Sequence, residues 1–206
     1  MKKLVCLLVL LLMAHGAFAQ RDLAFVNQQV EAFTKELALQ GIDTWIWTMR
    51  YCDGRTEMFR MPDGTNCFSK GTYYEVYLFY THSEGKMRMK KFDNCGTFYP
   101  FDFSDDTLLV QLNDNWSSLE GEEVKAYQEV VRSENPELRT AIHNCRRKLS
   151  MTKDGQQLDK MYNLFDLVED TNLNYKMNKN LNLIKLEDQM DQLIDQTTSN
   201  LNRVKQ

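Results

Sequence analysis

The chain has 206 residues, with 25 basic and 29 acidic side chains, three histidines and a formal net charge of −4. That acidic balance argues against a nucleic-acid binder, which normally carries a basic excess. A composition of 43% hydrophobic and 26% charged residues fits a globular domain and excludes collagen-like or low-complexity chains.

Residues 1–19 read as a cleaved secretory signal peptide. Lys2 and Lys3 form its positive end, an apolar run extends from Leu4 through Met13, and Ala17-Phe18-Ala19 supplies the small-x-small cut that leaves Gln20 first. The run is shorter than the ~20 residues a membrane-spanning helix needs, and no second stretch of the chain reaches that length. Cleavage leaves 23 basic against 29 acidic residues, a net charge of −6. It also removes Cys6, so Cys52, Cys67, Cys95 and Cys145 remain, an even set that reads as two disulfides in an exported chain. Three connectivities are open. The preferred one joins Cys52 to Cys67 and Cys95 to Cys145, with loop-closure entropies of about 3 and 4 kcal/mol. A metal site is disfavoured, because the spacing is wide and no C-x-x-C occurs.

Over residues 22–40, Leu23, Val26, Val30, Phe33 and Leu37 recur at steps of three and four, predicting an amphipathic helix stopped by Gly41. From residue 44 to about 103 the period becomes two. Trp45, Trp47, Met49 and Tyr51 alternate with Ile46, Thr48 and Arg50 in a first strand. A second strand covers 72–81 and a third 86–92, with a short strand near 57–61 and an edge strand over 97–103, where Pro100 is tolerable. Short connections make the set an antiparallel meander.

After Asp105 the pattern predicts helices throughout. Ser117-Ser118-Leu119-Glu120 reads as a capping box, and Asn135-Pro136 as the start of a helix burying Leu138, Ile142, Cys145 and Leu149. Leu158, Met161, Phe165 and Val168 suggest another helix, and Leu183, Leu186, Met190 and Leu193 a final amphipathic one.

Motifs for chemistry are sparse. No nucleophile elbow, phosphate-binding glycine loop, dinucleotide fingerprint or His-Glu-x-x-His helix is present, and no cofactor or metal is expected. Asp170-x-Asn172-x-Asn174 opens like a calcium loop, but Tyr175 and Leu181 stand where that loop needs glycine and glutamate. Asp102, Asp105 and Asp106 offer carboxylates for a hydrolase pair, though their usual work is solvating a turn and starting a helix. Three sets of side chains are candidates for binding. Lys86, Arg88 and Lys90 form a basic row that the alternation sets near Tyr73, Tyr77 and Phe79, a face suited to anionic glycans. Trp45, Trp47 and Tyr51 make either a sugar platform or a core row. The stripe Leu183, Leu186, Met190 and Leu193 either folds back onto the sheet or docks a partner or a second copy.

One helix followed by an antiparallel meander over residues 22–103, with two disulfides and export, resembles the cystatin arrangement. That family inhibits cysteine proteases through a Gln-x-Val-x-Gly hairpin. Here the nearest string, Gln28-Gln29-Val30-Glu31-Ala32, falls in the first helix and ends in alanine, so the resemblance implies the topology without the inhibitory wedge.

The expected protein is α+β: an antiparallel sheet packed against an N-terminal helix and C-terminal helices, with two disulfides. Residues 20–150 form its domain and 151–206 a helical extension. It is expected to be secreted, periplasmic or on the cell surface, and to act as a non-enzymatic binding or structural protein through protein contacts. Glycan or polyanion binding is the alternative, and a hydrolase the third reading.

Overall fold

The computed structural model describes residues 22–82, 85–129 and 145–205. The expected signal peptide and the helix start at Asn135-Pro136, with Leu138 and Ile142, lie outside the described residues. Helix α1 (Leu23–Leu39) begins at Asp22, whose carboxylate accepts hydrogen bonds from the backbone N–H of Ala24 at 3.0 Å and Phe25 at 3.2 Å. It stops before Gly41, which takes the left-handed φ of +77°. Then come β1 (Trp45–Cys52), β2 (Met58–Arg60), β3 (Asn66–Phe68), β4 (Tyr74–Thr81), β5 (Met87–Asp93), β6 (Gly96–Thr97) and β7 (Phe101–Asp102). Helix α2 (Thr107–Gly121) follows, and β8 (Cys145–Lys153) and β9 (Gln156–Asn163) lead through a 3-10 turn (Leu164–Leu167) to α3 (Tyr175–Lys179) and α4 (Asn182–Thr197).

Seven strands make one antiparallel sheet in the order β6-β5-β4-β1-β8-β9, with β7 also on β5, while β2 and β3 form a separate hairpin. Alternation along each strand sends side chains to opposite faces. On the first face Val26, Val30 and Leu37 of α1 pack against Met49, Val76, Leu78, Tyr80 and Phe92. On the second, α2 and α4 bring Leu108, Leu112, Leu183, Ile184, Leu186, Met190 and Ile194 onto Ile46, Tyr77, Phe79, Met89, Leu149 and Met151. The fold is therefore α+β, a sheet with helices on both faces.

Several expectations are corrected. The disulfides join Cys52 to Cys145 and Cys67 to Cys95, not Cys52 to Cys67 and Cys95 to Cys145. Cys145 opens a strand, and the β1–β8 register sets it directly opposite Cys52. The loops closed span 93 and 28 residues, corresponding to about 4.5 and 3.5 kcal/mol of loop-closure entropy. Residues 145–149 and 158–163 are strands rather than helices. Cys145 and Leu149 are four apart, a spacing common to both periods, so it could not discriminate. Asp154 and Gly155, at φ +51° and +78°, form the tight hairpin turn between β8 and β9. The expected capping box at Ser117 lies inside the last turns of α2. The boundary expected at residue 150 falls within β8, and β9 completes the sheet.

Candidate functional site

The apolar stripe of α1 is narrow and covers mainly β4 and β5. The same sheet face over β1, β8 and β9 is left to polar and aromatic side chains. Register brings them together: Trp45 lies opposite Thr152, Trp47 opposite Ser150 and Met49 opposite Lys148. One strand further out, Thr152 faces Gln157 and Ser150 faces Asp159. Along the rim of α1, Asn27, Glu31 and Thr34 fall at i, i+4 and i+7, which is one side of a helix. These groups enclose a cleft of about 370 Å³, at the small end of the ~300–1,000 Å³ range of ligand sites.

The cleft has an aromatic floor and polar walls. Trp45 and Trp47 are half-buried. The Lys148 ammonium lies 5.5 Å from the centre of the Trp47 ring. On the β9 wall the Gln157 amide donates to Ser150 Oγ at 3.3 Å and to the Asp159 carboxylate at 3.1 and 3.2 Å, which orients both side chains. On the α1 wall, Thr34 Oγ1 donates to the Glu31 carbonyl at 3.1 Å. Among the described residues, the Asn27 amide, the Glu31 carboxylate, the Lys148 ammonium and both indole N–H groups have no hydrogen-bond partner. The lining holds no histidine or cysteine among the described residues. Such a site can stack and hydrogen-bond, and its walls offer both donors and acceptors.

The basic row does not assemble as expected. Register pairs Arg88 with Tyr80 and Lys90 with Leu78, while Tyr77 pairs with Lys91 on the opposite face and is buried. Arg88 forms an ion pair with Asp102, its Nη2 lying 3.3 Å from Oδ2. Lys90 lies over the rings of Phe33 and Phe92 at 5.2 and 5.8 Å and donates to the Phe98 carbonyl at 3.0 Å. Lys86 is exposed before β5, and the Tyr73 hydroxyl donates to Asp93 at 3.1 Å. The row is thus divided among intramolecular partners. Of the three aromatic residues expected as a platform, Trp45 and Trp47 line the cleft, whereas Tyr51 packs at a tilt against Tyr74, with ring centres 5.0 Å apart. Asp105 accepts from Thr107 N–H at 3.2 Å, and Asp106 is the N-cap of α2.

The stripe Leu183, Leu186, Met190 and Leu193 lies within the second-face core, the first three residues buried and Leu193 partly so. Glu122 holds the start of α4, its carboxylate accepting from Asn182 and Leu183 N–H at 3.0 and 2.7 Å. Beneath the helix is a buried charged cluster. Glu187, 3% exposed, accepts from Thr48 Oγ1 at 2.8 Å and lies 3.2 Å from Arg147 Nε. Asp191 pairs with Arg50 and sits 3.7 Å from Arg147 Nη2. Burial outweighs these cations and raises the Glu187 carboxyl to about 7. The cluster seats α4 on the sheet.

Sequence reasoning missed Lys148, Gln157 and Asp159, although Asp154-Gly155 was the hairpin signal that aligns them. No family model matches the chain, and no curated protein matches it.

Proposed function

We propose that the chain is an exported, non-enzymatic binding protein whose ligand occupies the cleft between α1 and the uncovered half of the sheet. The observation that carries this reading is the pair of half-exposed tryptophans beside polar groups that have no partner within the described residues. Groups of that kind lose little on ligand binding, because they trade water for a ligand. The two disulfides agree with an oxidising compartment. Contact through the α4 stripe is weakened as a reading, since those side chains already have a place in the core.

Tryptophan emission tests the assignment. A small-molecule fragment library screened against the full secreted chain yields ligands that shift the emission. Those shifts disappear in Trp47→Ala and return in Trp47→Phe, which keeps a ring on the core. Ligands that bind Trp47→Ala equally well would place the site elsewhere.

A further inference from the structure

Resting on the reading of this cleft as the binding site, we infer that its occupant is a neutral saccharide chain, stacked on Trp45 and Trp47 and hydrogen-bonded from both walls. The floor and the walls ask for different surfaces of one ligand. Trp45 and Trp47 are two residues apart on β1, a separation of ~7 Å along a strand, so consecutive rings of a chain can each meet an indole. A pyranose presents C–H groups on its faces, which suit the π surface of an indole, and hydroxyls around its edge. Here the edge of a ring lying on the tryptophans meets Asn27 and Glu31 on one side and Gln157 and Asp159 on the other. Carboxylates accept, and amides both accept and donate, as vicinal hydroxyls require.

Other ligand classes fit less well. Among the described lining residues, two carboxylates, Glu31 and Asp159, stand against one cation, Lys148, and that net negative charge repels a uronate, sulfate or phosphate chain. An apolar ligand would bury the Glu31 carboxylate and Asn27 amide without partners, at full desolvation cost. An extended peptide gains most from adding to a strand edge. The floor strand β1 is instead paired on both sides, with β4 and β8, so its backbone is not open to a peptide.

The test is calorimetric titration of the full chain with cellohexaose, maltohexaose and chitohexaose, and in parallel with oligogalacturonate, supported by a microarray of neutral glycans. At least one neutral glycan binds with quenching or a shift of tryptophan emission. Binding is about tenfold weaker in Trp47→Ala and recovers in Trp47→Phe, which restores a ring to stack. Gln157→Ala weakens it as well, while leaving the melting temperature unchanged. Binding of oligogalacturonate alone, falling with salt, overturns the saccharide's neutrality. Absence of glycan binding, in a protein whose fragment ligands still depend on Trp47, overturns the saccharide class and leaves the cleft standing. Neutral glycans bound by Trp45→Ala and Trp47→Ala as tightly as by the parent overturn the cleft itself.

Discussion

Arg203, near the end of the described chain, closes a two-pronged ion pair on Asp93 at the far end of β5, with Nη1–Oδ1 at 2.6 Å and Nη2–Oδ2 at 2.7 Å. Asp93 is fully buried. Its oxygens also accept from Tyr73 OH at 3.1 Å and Cys95 N–H at 2.7 Å, while the Arg203 guanidinium covers the Phe98 ring at 4.3 Å. Backbone bonds from Tyr99 N–H to the Asn202 carbonyl and from Val204 N–H to the Thr97 carbonyl, both 2.9 Å, lay the tail beside β6. Arg203→Ala strands a buried carboxylate and is expected to cost about 3–5 kcal/mol in urea unfolding. Arg203→Lys recovers only part, because an ammonium cannot reproduce the fork.

Glu187 makes stability depend on pH. Its carboxyl is raised to about 7 from the ordinary 4.5, chiefly by burial, with Arg147 and Arg50 from the sheet opposing and Asp191 of α4 assisting the rise. A raised carboxyl binds its proton more tightly in the folded state. Its contribution is therefore complete below pH 4.5 and is lost as pH rises toward 7. Glu187→Gln should flatten this dependence, so that its stability relative to the parent improves between those limits by on the order of 3 kcal/mol. Urea titrations of both proteins across the window read the difference directly. An unchanged difference would exclude Glu187 as the titrating group.

The two disulfides should differ in consequence. Replacing Cys52 and Cys145 by serine opens the longer loop and unties β8 from β1, at about 4.5 kcal/mol. Replacing Cys67 and Cys95 costs about 3.5 kcal/mol and frees the β2–β3 hairpin from the end of β5. Non-reducing peptide mapping establishes the pairing, and denaturant melts order the two losses.

Removing residues 180–206 should unfold or aggregate the chain rather than leave a slightly weaker monomer. The deletion uncovers Ile46, Phe79, Leu149 and Met151, all buried on the second face, and strands Arg147 without Glu187. Met190→Ala, a milder probe, is expected to cost ~2–5 kcal/mol through loss of packing and the cavity left behind. Light scattering and thermal melts distinguish these outcomes from a helix that only decorates the surface.

Local pattern was enough for α1, β1, β4, β5 and α4, because each runs long enough for its period to show. It was also enough to single out Trp45 and Trp47. Local pattern failed at β8, where Cys145 and Leu149 suit a helix as well as a strand, and at β9, where Leu158 and Met161 lie on opposite faces of the sheet. The misread strand then carried the disulfide pairing with it, since Cys145 can meet Cys52 only as its cross-strand neighbour.

The sequence by itself determined the α+β class, the four sulfurs that pair and the aromatic residues of the cleft floor. Those are properties of composition and short-range periodicity. Tertiary structure alone decided which sulfurs join, that Lys90 and Tyr77 stand on opposite faces, and that Asn27, Glu31, Gln157 and Asp159 converge on the tryptophans. Strand register governs all three. A shift of a single residue sends every side chain of a strand to the other face, and register is set by contacts between segments about 100 residues apart, such as β1 and β8.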